Sequence, residues 1–149
     1  LIHLKMNDVE SIDDSQKEFV LNTGSPHVIH FTENVRDFDI VAYGKQIRYS
    51  DKYKQEGINV NAIHQLDAHS FEIRTYERGV EDETLSCGTG VTAAALALGK
   101  KNEITGDFEY KVKSQGGNLS VKFTNTGSNF TNIWLIGPAE SVFKGEMDV

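Results

Sequence analysis

The chain has 149 residues, 38% of them hydrophobic and 25% charged, which is the composition of an ordinary globular domain with a real core. Its formal charge of −7 argues against nucleic acid or an anionic membrane as partner, and leaves any carboxylate-bearing ligand to be held by local groups. One cysteine excludes an internal disulfide framework, no His/Cys/Asp/Glu spacing matches a metal site, and no apolar run is long enough to span a membrane. With no signal peptide in view, a cytoplasmic protein is the default expectation.

Residues 1–9 alternate apolar and polar and predict a strand. The chain opens on Leu1-Ile2-His3-Leu4, already in that alternation and without an initiator Met, so it reads as a segment of something longer. Residues 10–16 form an acidic loop and 17–22 a second short strand. Thr23-Gly24-Ser25-Pro26 is a turn, since Gly supplies unusual dihedrals and Pro fixes one. Residues 27–31 predict a third strand. Residues 34–49 predict a helix, with Val35, Phe38, Ile40, Val41 and Ile47 as a rough apolar stripe that Gly44 weakens. Residues 50–57 are charged and solvated. Residues 58–66 and 70–76 alternate around Asp67-Ala68-His69 and read as a hairpin. Residues 91–99 predict a helix with almost no polar face, which belongs inside a fold, with Gly99 suited to the left-handed position past its end. Residues 100–106 read as a polar loop. Residues 108–113 and 119–124 flank Gly116-Gly117-Asn118, a second hairpin signal, and 125–129 form a further turn. Residues 132–136 predict another strand, and Val142-Phe143 is a place where a last one could begin. The pattern implies one α+β domain with many antiparallel strands and two helices.

The segment from Tyr76 to Gly90 holds the only cysteine and runs straight into the apolar helix. Backbone N–H groups at a helix start lack partners inside the helix, and such an end binds carboxylate or phosphate. Gly88 and Gly90 would let a ligand approach the backbone, and Thr89 adds a hydroxyl. The same positive end favours the thiolate of Cys87, while a carboxylate at Glu77 folded near the thiol would oppose it. Against this stand blander readings: a lone Cys as an inert small hydrophobe, the glycines as a mere turn, and Glu77-Arg78 as a surface pair.

Glu77-Arg78-Gly79 followed by Glu83-Thr84-Leu85-Ser86-Cys87-Gly88-Thr89-Gly90 resembles the second active-site signature of the diaminopimelate epimerase family. Thr23-Gly24-Ser25-Pro26-His27-Val28, Gly57-Ile58-Asn59-Val60-Asn61 and Gly137-Pro138-Ala139 with Val142-Phe143-Lys144-Gly145 resemble three further segments of it, in order. Two departures stand out. Ser25 replaces a usual Asn, and Val80-Glu81-Asp82 occupies a loop that usually has two residues, a lengthening expected to leave the chemistry alone. The resemblance covers only the C-terminal half of the family's two-part chain. It implies a curved, barrel-like, mostly antiparallel sheet wrapped around the central apolar helix.

The same resemblance implies a cofactor-independent epimerase acting on LL- and meso-diaminopimelate through two opposed cysteines, one as thiolate base and one as thiol donor. Cys87 would be one of them, and the other would come from an N-terminal half. Without that partner the chain would not turn over. Gly88 and Thr89 would hold the α-carboxylate, Arg78 the distal carboxylate and Glu77 the distal ammonium beside the cysteine. Asn59 and Ser25 would add hydrogen bonds to substrate, and His27 would assist the second cysteine. No metal or cofactor is implied, and a homodimer is compatible with the family. Competing readings are a proline racemase-like enzyme and a non-catalytic small-molecule-binding domain. The first also carries a Cys-Gly-Thr-Gly helix start, but after Asp-Arg-Ser-Pro, where this chain has Glu83-Thr84-Leu85-Ser86.

Overall fold

A computed structural model describes residues Leu1–Val149. In chain order it contains β1 (Ile2–Lys5), β2 (Phe19–Asn22), β3 (Pro26–Phe31), α1 (Ile40–Arg48), β4 (Asn59–Asp67), β5 (Ser70–Glu77), β6 (Asp82–Thr84), α2 (Gly88–Lys101), β7 (Gly106–Ser114), β8 (Gly117–Asn125) and β9 (Phe130–Gly137). The nine strands form one sheet in the order β1-β9-β8-β7-β5-β4-β3-β2, with β6 also paired to β5. Most neighbours are antiparallel, but β3/β4 and β5/β7 are parallel. Parallel strands need a long crossover between them. The two helices are those crossovers, α1 between β3 and β4 and α2 between β5 and β7.

Each helix takes one face of the sheet. Along β3 and β4, Val28, Val60 and Ala62 point to the α1 side and join Val35, Ile40, Ile58 and Tyr76. Their neighbours Ile29 and Ile63 point the other way and pack with α2. This is the two-residue period of a strand at work on both sides of a buried sheet. Every residue of α2 from Gly90 to Gly99 is buried. The helix touches β2, β3, β4 and β5 as well as β8 and β9, strands from opposite ends of the sheet. Only a strongly curved sheet can bring both ends to one helix, so the enclosed-helix architecture holds. No helix is long and apolar enough to cross a membrane.

Four expectations are corrected. Gly99 lies inside α2, which continues through Lys101, and its missing side chain serves packing, since a Cβ there would stand 2.8 Å from Cζ of the buried Phe123 ring. The left-handed residue past the helix is Glu103, at φ 55°. The first helix starts at Ile40, not at residue 34. The Asn34 side chain accepts from the N–H groups of Arg36 and Asp37, a local turn that competes with helix, and Asp39 then caps Ala42. The second hairpin turns one residue early, with Gly117 at φ 138° already paired to Ser114. Finally, residues 138–149 contain no strand, and Val142 and Phe143 are exposed.

Candidate active site

The inner face of the sheet changes character toward one end. On β3, β4 and β5 the positions facing α2 run from Ile29, Ile63 and Ile73 to His27, Asn61 and Thr75, and then to Ser25, Asn59 and Glu77. Because β4 runs parallel to β3 and antiparallel to β5, the starts of β3 and β4 and the end of β5 coincide. The N-terminus of α2 is packed against this polar end, as the contacts of Thr89 and Gly90 establish.

Cys87 is the N-cap residue of α2, half-buried, with extended backbone at φ −131° and ψ 111°. Its side chain does not cap the helix, and the first turn carries no acidic residue. The first intrahelical donor is the Val91 N–H, bonded to the Cys87 carbonyl. The N–H groups of Gly88, Thr89 and Gly90 therefore point out of the helix end without partners in the chain, ready for an anion. The Cys87 sulfur lies 3.5 Å from the Thr89 hydroxyl oxygen.

The two glycines also serve packing. A Cβ on Gly90 would sit 2.5 Å from Asn61 Oδ1 and 3.2 Å from His27 Cε1, and one on Gly88 would sit 2.9 Å from Leu135 Cδ2. The absent side chains let the sheet close onto the helix start.

His27 is fully buried. Its Nε2 is 2.8 Å from Thr89 Oγ1 and 3.3 Å from Ser25 Oγ, and its Nδ1 is 2.9 Å from Asn61 Nδ2. Burial first, and then the positive charge of Arg78, lower its pKa to about 4, so the ring is neutral near pH 7. The structure thus ties His27 to the Cys87 helix start through Thr89. Thr23 completes the clamp by donating to the Thr89 carbonyl at 2.7 Å.

Arg78 is half-buried and donates from Nη1 to the Glu56 carbonyl at 2.8 Å. The other three arginines have carboxylate partners: Arg36 with Glu72, Arg48 with Glu81 and Arg74 with Glu83. Arg78 and Glu77 enter no ion pair of the chain. A half-buried guanidinium without a counter-charge is a place for an incoming carboxylate.

Asn59 is largely committed within the chain. Its two amide hydrogens go to Ser25 Oγ at 2.7 Å and the Pro26 carbonyl at 3.1 Å, and its oxygen accepts from Arg78 N–H at 2.9 Å. It holds Ser25 and Arg78 in place and keeps one spare lone pair for a ligand.

The lengthened loop is more than a spacer. Glu81, in left-handed conformation at φ 59°, accepts from Gly79 N–H, Arg48 Nε, Tyr49 OH and Tyr76 OH. Burial acts to raise its pKa, but these four donors outweigh it and bring the carboxyl down to about 2. The loop carrying Arg78 is pinned to α1 by this one carboxylate. Asn61, Thr75 and Glu81 were not singled out from sequence. The available signal for the first two was parity: they are polar at positions in step with Ile63 and Ile73, which face the core.

A thiol at a bare helix end, a free cation beside a carboxylate and a neutral imidazole suit proton transfer on a small zwitterion. The diaminopimelate epimerase family model matches residues 19–142. A diaminopimelate epimerase of Flavobacterium psychrophilum is 50% identical over 144 residues, covering 97% of this chain and 56% of its own. That of Methanocella arvoryzae is 43% identical over 129 residues, covering 87% and 43%. The chain spans about half the length of the curated relatives it matches. Among solved structures, a predicted epimerase of Pseudomonas aeruginosa aligns with a TM-score of 0.56 at 15% identity, covering 72% of this chain and 35% of its own. A phenazine biosynthesis protein of Bacillus anthracis aligns at 0.52 and 12%, covering 87% and 39%. At those identities the likeness is one of fold.

Proposed function

The chain belongs to the diaminopimelate epimerase family, and from that premise we propose that it is the C-terminal half of an enzyme that inverts one α-carbon of LL- and meso-diaminopimelate. The α-proton leaves one face as a second proton arrives on the other. Cys87 serves one face. As thiolate it takes the α-proton to become a thiol, or in the reverse direction the thiol gives its proton and becomes a thiolate. The opposed cysteine belongs to the N-terminal half, so the isolated chain does not turn over.

The free N–H groups of Gly88, Thr89 and Gly90 meet the α-carboxylate and offset the negative charge that grows on deprotonation. Arg78 takes the distal carboxylate. Glu77 and the spare lone pair of Asn59 receive the distal ammonium, and Ser25 supplies a hydroxyl nearby. The observation that carries this reading is the pairing of two unmatched features: a cysteine capping a helix end with three free N–H groups, and the one arginine with no carboxylate partner.

The test is substrate choice after complementation with the separately produced first half of the Flavobacterium relative. The assembled enzyme epimerises LL-diaminopimelate and leaves L-proline untouched. Arg78→Lys, which loses the bidentate fork, raises KM for diaminopimelate by about 10- to 100-fold, the equivalent of about 1.5–3 kcal/mol of charged hydrogen bonding. Equal turnover of proline would move the chain to the racemase reading instead.

A further inference from the structure

Two buried polar residues are left over once substrate contacts are assigned. Asn61 is fully buried and Thr75 nearly so, on neighbouring strands directly behind His27. Both are hydrogen-bonded within the chain.

Their hydrogen bonds have a direction. Asn61 Nδ2 lies 3.2 Å from the Val28 carbonyl, which can only accept, so this end of the amide is the NH2 group. The opposite end accepts the Thr75 hydroxyl at 2.8 Å. The second hydrogen of Nδ2 then points at His27 Nδ1, 2.9 Å away. A donor there requires a bare Nδ1, and the single proton of the neutral ring must sit on Nε2. That proton faces Thr89 Oγ1 at 2.8 Å, with Ser25 Oγ the more distant alternative. Thr89 accepts it, which leaves the Thr89 hydroxyl hydrogen free to point at the Cys87 sulfur 3.5 Å away.

We infer that Asn61, held by Thr75 and the Val28 carbonyl, is a positioning residue that fixes His27 as its Nε2–H tautomer and thereby aims the Thr89 hydroxyl hydrogen at Cys87. The whole chain of donors, from Thr75 through Asn61, His27 and Thr89, runs in one direction toward the sulfur. Stabilising a thiolate at that sulfur is its chemical consequence. Gly90 makes the arrangement sterically possible, since any Cβ there would displace Asn61 and His27. Arg78, which acts on the imidazole as a like charge, disfavours the doubly protonated ring that would break the direction.

The last link rests on the proposed role of Cys87, but the tautomer does not, and the two are read separately. Nitrogen-15 NMR of the His27 ring in this chain is the first measurement. The expected spectrum near neutral pH has a protonated Nε2 and an unprotonated Nδ1. Asn61→Asp replaces the donor with an acceptor, so Nδ1 becomes protonated. Asn61→Ala, the second variant should the first not fold, removes the donor and lets both tautomers populate. A protonated Nδ1 in the unmodified chain, or a bare Nδ1 in folded Asn61→Asp, overturns the inference.

In the complemented enzyme Asn61→Asp lowers kcat at least about tenfold with KM little changed, as a wrong tautomer does in hydrolytic triads. An unchanged kcat with the tautomer switched also overturns the positioning role. Loss of activity in the unmodified assembled enzyme, with the predicted tautomer in place, counts against the proposed function alone.

Discussion

Gly90 has no side chain because Asn61 and His27 occupy that space. Gly90→Ala should therefore lower stability by about 1–3 kcal/mol through overpacking, outweighing the ~1 kcal/mol that alanine brings to a helix. Urea denaturation checks it, and an unchanged midpoint would mean that Asn61 yields freely. Single residues were legible to different degrees. Cys87, Arg78, Glu77 and His27 stood out because their types suit the chemistry and their motif has an order. Asn61 and Thr75 did not, because their role is to hold another residue, and a side chain's partner two strands away is not written in its own neighbourhood. Gly88 and Gly90 are legible in sequence as exposed backbone, but not as the space that Leu135, Asn61 and His27 fill against the helix start. Asn59 shows the same limit: its amide hydrogens serve Ser25 and Pro26 within the chain.

At the scale of elements, the loop after β5 decides where Arg78 points. Glu81 anchors it through four donors from three segments. Glu81→Gln leaves charged and phenolic donors poorly matched and should cost about 1–3 kcal/mol. In the assembled enzyme it should raise KM for diaminopimelate more than it lowers kcat, since the proposed function gives the loop a substrate contact through Arg78 and no proton transfer. The sign of its pH dependence follows from a folded pKa of about 2 against the ordinary 4.5. The stabilisation is present above pH 4.5 and is lost as pH falls through that value toward 2. The variant should lack this slope in acid denaturation, and an identical acid profile would count against the anchor. The existence and type of both helices and of most strands were readable from periodicity. Their ends were not, because Asn34 prefers a local turn and Gly99 makes room for the Phe123 ring inside α2 instead of ending the helix.

The whole molecule is a curled sheet around one helix, and its site is assembled from four separate segments. Alternation predicts strands but not their neighbours, so the parallel β3/β4 pairing that sets β3 beside the β4/β5 hairpin, and the parallel β5/β7 pairing, could not be read from the chain. That α2 is buried could be inferred, since it has no polar face to offer water, while the sheet wrapped around it followed only from the family resemblance. Burying neutral His27 also leaves a mark on global stability. Its pKa falls from 6.5 to about 4 on folding, so the unfolded chain binds the extra proton first. Stability is complete above pH 6.5 and declines as pH falls from 6.5 to 4, by about 3 kcal/mol at most. Equilibrium unfolding between pH 6.5 and 4.5, above the range in which Glu81 titrates, should show the slope in the unmodified chain and not in His27→Gln. The central claim, that Cys87 is one of two opposed proton-transfer groups, is tested most directly by deuterium uptake at the α-carbon of LL- and meso-diaminopimelate in D2O. The account predicts no uptake by this chain alone, uptake once the complementary half is added, and its disappearance in the assembled Cys87→Ala enzyme. Uptake by the chain alone, or uptake that survives Cys87→Ala, would contradict it.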